Sequence, residues 1–298
     1  MKKIIDGNFI AMLETSDLFI HQPMDGLLGG NRRSRNYGSS VEFADFREYV
    51  QGDDLRRIDW NLYARFEKLF LRLFVDERQL HHRIYIDASA SMDWGSPEKS
   101  HMALQFAAAL GFLAVQAMDR VSYYAVNEGS VRDLCRTVVG REAFYRAADS
   151  LNDLRFYGDS HIGRALCAAD DLGTSDGLSV IISDFLTDND WKSAVDRLLY
   201  HKREVYLVRI LSRDEITPDL AGKVFMFDSE ADDEEDDRNY RHEITRSAVK
   251  AYEEAFLYQQ NEIKQFCDAR GVGFVTLCSD ESIQRMLFMK GTEAGLIQ

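Results

Sequence analysis

Proline is scarce, with three in 298 residues, so no proline-rich linker divides the chain. Cysteine is scarce too. Cys135, Cys167, Cys267 and Cys278 stand far apart with no C-x-x-C pair, which excludes a zinc framework or disulfide scaffold and leaves reduced, buried thiols. Positive charge is in deficit: 36 Lys and Arg face 50 Asp and Glu, a net charge of -14, which opposes binding to a nucleic-acid backbone. No signal peptide is expected, because Asp6, Asn8 and Glu14 interrupt the apolar residues of the first segment. The longest apolar run, Met102 to Met118, is short for a membrane span, rich in alanine and interrupted by Gln105 and Gln116. It reads as a buried helix, so no membrane span is expected and a cytoplasmic protein is.

What is present is the composition of a folded globular chain, 45% hydrophobic and 29% charged. From residue 83 onward, short β-branched or aromatic runs alternate with longer helical patterns. The runs are Arg83 to Asp87, Val121 to Val126, Ser179 to Ser183, Val205 to Ile210 and Gly273 to Leu277. Helices are expected over Lys99 to Asp119, Arg141 to Asp153, Ile162 to Asp171, Asp190 to His201 and His242 to Arg270. That alternation predicts a three-layer αβα fold, a doubly wound, mostly parallel sheet covered on both faces. The main domain is assigned to residues 81–298. Within it the acidic run Asp228 to Asp237 reads as a solvated loop, since like charges repel and no glycine supplies a calcium-loop bend.

Residues 1–80 differ in character and read as an N-terminal extension packed on the main domain. Ser39 or Ser40 is placed to cap a short helix from Glu42 to Val50, and Leu69 to Val75 reads as a strand or half of a hairpin. The arginines Arg32, Arg33, Arg35, Arg56, Arg57 and Arg65 suit a phosphate or an acidic partner surface. Internal pairing with Glu42, Asp45, Glu48, Asp53, Asp54 and Asp59 is the commoner arrangement. Trp60 and Tyr63 beside them read as packed, although Arg, Trp and Tyr together are also what an interaction surface carries.

The chemistry concentrates where the strand RIYID runs into ASASM. Asp87, Ser89 and Ser91 then stand at the carboxyl end of a central strand, the edge at which open α/β sheets bind ligands. One carboxylate and two hydroxyls make a hard oxygen half-site for magnesium, with manganese or calcium as alternatives. Ser160, in the loop before the helix at Ile162, offers a third hydroxyl, and Asp184 ends another strand. Together these five residues form a candidate divalent-cation site with a coordination position left open for a partner carboxylate. Serines that cap helices and aspartates that end strands are the ordinary alternative for each taken singly. Asp93, Asp159 and His161 are peripheral candidates. The string GSPEKS imitates a phosphate loop, but Glu98 stands where the glycine before the lysine belongs, so no nucleotide is expected at Lys99.

Asp87, Ser89, Ser91, Ser160 and Asp184 resemble the metal ion-dependent adhesion site of von Willebrand factor A-type domains, with serine at 160 in place of threonine. The substitution keeps the hydroxyl and drops a methyl group. The stretch from Gly26 to Arg78 is similar, almost position for position, to the signature of the bacterial DUF58 family. That resemblance implies a partner, a MoxR-type AAA+ ATPase, with which such proteins act in assembling or maturing other complexes. A metal-dependent protein-interaction module, not an enzyme, is therefore the expected function. The alternative is a metal-dependent hydrolase of a phosphoester, for which no acid or base signature is found.

Overall fold

A computed structural model describes residues 5–15, 43–74, 79–169, 177–186, 191–218, 222–226, 240–244 and 246–297. They divide between two compact units, one of residues 1–23 with 80–298 and one of residues 24–79.

In chain order the elements begin with helix α1 (Gly7–Glu14), strand β1 (Phe43–Glu48), helix α2 (Trp60–Phe66) and strand β2 (Phe70–Phe74). Next come β3 (His81–Asp87), α3 (Lys99–Gln116), β4 (Arg120–Asn127), β5 (Ser130–Val138), α4 (Gly140–Asn152) and α5 (Ile162–Ala168). The chain continues through β6 (Leu178–Ser183), α6 (Trp191–Tyr200), β7 (Glu204–Leu211), α7 (Arg213–Ile216), β8 (Gly222–Met226) and β9 (Tyr240–Ile244). It closes with α8 (Arg246–Arg270), β10 (Gly273–Cys278) and α9 (Ile283–Arg285).

The larger unit is the doubly wound α/β fold that the alternation predicts. Its sheet runs β10-β7-β6-β3-β4-β5, with every neighbour parallel except the antiparallel edge strand β5. Alternate residues serve opposite faces, as the pleat requires. Ile84 and Ile86 of β3 enter one apolar cluster with Val180, Ile182, Val208 and Ile210. Tyr85, Ile181, Val205 and Leu207 enter the other, beneath α5, α6 and α8. Helix α3, the apolar run of the sequence, is buried on nearly every side, with Phe112 edge-on to Phe144 of α4 at 5.4 Å. Its alanines suit contact all round rather than along one stripe. No helix among the described residues is long and apolar enough to cross a membrane. Ile5, Phe9 and Leu13, on and beside α1, are buried in the same cluster as α3.

Several local expectations are corrected. The helix expected over Glu42 to Val50 gives way to a strand at Phe43–Glu48: β1 pairs antiparallel with β2, matching Phe46 to Arg72 and Glu48 to Phe70. Cross-strand pairing overrides the capping signal there. The last long helix begins at Arg246 rather than His242, because Tyr240–Ile244 pairs with Gly222–Met226. Trp60 and Tyr63 are exposed, not packed, and meet each other edge to face at 6.1 Å. In the smaller unit Asp53 pairs with Arg47 at 2.7 Å, Asp59 with Arg72 at 2.8 Å and Glu48 with Lys68 at 3.2 Å. Arg56 and Arg65 are exposed. Arg32, Arg33 and Arg35, and the acidic run 228–237, lie outside the described residues.

Candidate metal centre

Strand order reverses beside β3: the chain leaves it for β4 on one side and later fills β6, β7 and β10 on the other. The crevice at such a reversal, outside the carboxyl ends of the strands, is where this architecture binds ligands. Asp87 ends β3 and Ser183 ends β6 at that place.

Asp87 is fully buried and collects three hydrogen bonds. Ser160 Oγ donates to its Oδ2 at 2.7 Å, Ser183 Oγ to the same oxygen at 2.6 Å, and the Ser89 backbone N–H to Oδ1 at 3.0 Å. Ser89 and Ser91 bring their hydroxyl oxygens within 3.1 Å of each other. Backbone bonds lock the loop that carries Ser160 against the end of β3, from Tyr157 N to Ala88 O at 2.8 Å and from Ala90 N to Gly158 O at 2.9 Å. Gly158 makes that turn with φ +69, and a Cβ there would meet Glu128 at 2.7 Å. Burial pushes the Asp87 carboxyl above the ordinary carboxylate range, and the nearby Asp184 charge pushes it further. The hydrogen bonds from Ser183, Ser160 and Ser89 oppose both.

Asp184 follows in the loop after β6. Its Oδ1 accepts from Leu186 N at 3.1 Å, and its Oδ2 accepts from Lys99 Nζ at 2.6 Å. Between them Phe185 has φ +51, a left-handed conformation that costs a bulky residue about 1–3 kcal/mol. Packing holds it there: its ring is buried edge-on to Trp191 at 5.7 Å, and Gln259 Nε2 of α8 donates to its carbonyl at 2.9 Å. Arg209, buried under Phe256, donates to the Asp184 carbonyl at 3.0 Å and to Gln259 at 2.7 Å.

The second hydrogen bond of Lys99 goes to Glu215 Oε1, also at 2.6 Å. Glu215 is aimed by a reciprocal cap on α7, its Oε2 accepting from Ser212 N at 2.7 Å. Gly95, at φ +102, lets the loop before α3 close on α7, since a Cβ there would fall 2.8 Å from Ser212 Cβ.

All five expected site residues therefore stand at one sheet edge. The peripheral ones are looser: Asp93 accepts from Ser100 at 3.3 Å, and His161 lies 3.7 Å from Asp159 in a partly exposed loop. Ser183, Lys99 and Glu215 were not expected there. Ser183 was legible as the last residue of a predicted strand beside Asp184, whereas the other two become site residues only through tertiary packing.

This donor set fits a divalent cation on two observations. Oxygens at neighbouring corners of a magnesium octahedron stand about 3 Å apart, which the Ser89 and Ser91 hydroxyls match. Asp87, Asp184 and Glu215 also bring three carboxylates against two cations, Lys99 and the buried Arg209, an excess of negative charge that a bound cation would offset. No group of three or more His, Cys, Asp or Glu poised for a metal occurs among the described residues. Hydroxyl oxygens would thus supply most of the protein's donor atoms.

The geometry defines a class: a doubly wound α/β domain with a buried polar site at its switch point. Comparison of sequences narrows it. The profile described as "Protein of unknown function DUF58" matches residues 45–259, and the chain belongs to that family. An uncharacterised protein of Mycobacterium tuberculosis is 30% identical over 234 residues, which cover 76% of this chain and 73% of that protein. Among solved structures, the chain is similar to BatB, a conserved hypothetical protein from Bacteroides thetaiotaomicron, at 12% identity and TM-score 0.42, covering 72% of this chain and 98% of that one. It is also similar to a von Willebrand factor type A protein from Catenulispora acidiphila, at 17% identity and TM-score 0.35. That match covers 48% of this chain and spans about a third, 35%, of the other.

Proposed function

We propose that the chain is a metal-dependent protein-interaction module that serves a MoxR-type AAA+ ATPase as accessory partner in the assembly or maturation of other proteins. The observation that carries the metal part is the convergence on Asp87 of Ser160 and Ser183, beside the paired hydroxyls of Ser89 and Ser91. Ser89, Ser91, Ser160 and Asp87 would hold the ion, magnesium first, and Asp184 would add negative charge behind it. A bound ion supplies a coordination position that a partner carboxylate can fill. The chain's own residues orient that encounter. Trp94, 61% exposed, and Tyr157, 44% exposed, flank the loops that carry Ser91 and Ser160, and exposed aromatic rings of this kind anchor partner contacts. The choice of ATPase as partner rests on what the resemblance of Gly26 to Arg78 to the DUF58 signature implies.

The test is capture of the cognate MoxR-type ATPase by the full chain, with magnesium and with chelator, for wild type and Asp87→Ala. Capture that requires magnesium and is lost in Asp87→Ala is expected. Equal capture in all conditions would remove the ion from the contact.

A further inference from the structure

Lys99 is placed where an ammonium is least at home. It is the first residue of α3, next to the positive end of the helix dipole. Its side chain is 1% exposed, as is that of Asp184. A buried charge is costly unless it is paired and hydrogen-bonded, and Lys99 is held by two carboxylates at the same distance, 2.6 Å. Asp184 and Glu215 reach it from the ends of different strands, after β6 and β7. Glu215 is fixed by the α7 cap, and the same residue's carbonyl accepts from Tyr252 of α8 at 2.7 Å. The ammonium is therefore seated in a built cradle and not swept in as a surface chain.

We infer that Lys99 is a resident internal cation of the switch-point site, which competes with the divalent ion for the negative charge of Asp184 and so holds the site at low metal affinity. The inference rests on the metal reading above and concerns its regulation. With Lys99 in place the ion has less uncompensated charge to neutralise, so it binds weakly alone and more tightly with the further carboxylate that a partner brings. Metal and partner then strengthen each other's binding. Glu215 sets the strength of the effect, because the more of the Lys99 charge it absorbs, the less remains to repel the ion.

The test is titration of Mn²⁺ alone into the full chain, followed by calorimetry, for wild type, Lys99→Met and Glu215→Gln. Removing the ammonium should tighten Mn²⁺ binding by about tenfold or more, since a unit charge is lost close to a doubly charged ion in a poorly screened site. Glu215→Gln should move affinity the opposite way, weakening it severalfold. It also keeps the inference exposed if Lys99→Met does not fold, because unchanged or tighter binding in Glu215→Gln overturns it. Binding in wild type with equal or weaker affinity in Lys99→Met overturns the inference and leaves the metal reading standing. No Mn²⁺ binding in wild type or in Lys99→Met overturns both.

Discussion

Lys99 Nζ and Asp184 Oδ2 form a buried ion pair of 2.6 Å between residues 85 positions apart in the chain. The pair joins the start of α3 to the loop after β6, across the crevice where the strand order reverses. Breaking a buried pair from one side strands a charge, at a cost of about 3–5 kcal/mol. Lys99→Ala should lower unfolding free energy by that amount in chemical denaturation. The Lys99→Ala/Asp184→Ala double variant should lose clearly less than the sum of the two singles. Additive losses would show that the pair is not coupled.

Asp87 Oδ2 accepts from both Ser160 and Ser183. Each hydroxyl removed leaves a buried carboxylate less well satisfied, costing about 1–3 kcal/mol. Ser160→Ala and Ser183→Ala should each destabilise within that range. The variant in which both are replaced should depart from additivity, because the two share one acceptor atom. Thermal or urea unfolding of the four proteins measures this directly.

Phe185 combines a buried ring with a left-handed backbone, and two substitutions separate these terms. Phe185→Ala loses the ring and keeps the strain, for a loss of about 3–5 kcal/mol. Phe185→Gly loses the ring and relieves the strain, so it should be the more stable of the two by about 1 kcal/mol. The reverse order, with glycine worse, would mean that the left-handed conformation carries no strain.

His81 sits among Arg83, Arg203 and Arg120, and its Nε2 lies 2.8 Å from Ser122 Oγ. Burial first, and then those arginines with His82, lower its pKa from 6.5 to about 4. The unfolded chain takes up this proton near its ordinary value while the folded chain resists it, so the unfolded state binds more protons between the two values. The resulting stability is complete above pH 6.5 and is lost as pH falls towards 4. An NMR titration of the His81 ring should show a midpoint near 4. The stability advantage of wild type over His81→Gln should shrink as pH falls through that window. A midpoint near 6.5 would contradict the assignment.

The parallel sheet was legible because its central strands are covered on both faces and therefore read as continuous apolar runs. Strand β5 was not, since as an exposed edge it mixes Arg132, Asp133 and Arg136 with its apolar residues. The stretch over β1 carries capping and helical signals that its pairing with β2 overrides. Within the site, Asp87, Ser89 and Ser91 were visible because a strand that runs into a D-x-S-x-S turn fixes their place locally. Ser160 was visible as a hydroxyl in the loop before the helix at Ile162, and Asp184 as the acid at the end of another predicted strand. Lys99 was read only as a failed phosphate loop, because nothing near it in sequence shows that Asp184 and Glu215, 85 and 116 positions away, converge on it.

The most direct measurement of the central claim is an anomalous difference map from crystals of the full chain grown with Mn²⁺. The account predicts a peak within bonding distance of the hydroxyls of Ser89, Ser91 and Ser160 and beside the Asp87 carboxylate, absent from crystals of Asp87→Ala. A site without that peak, with Ser160 and Ser183 still donating to Asp87 and Lys99 still paired with Asp184, would contradict it.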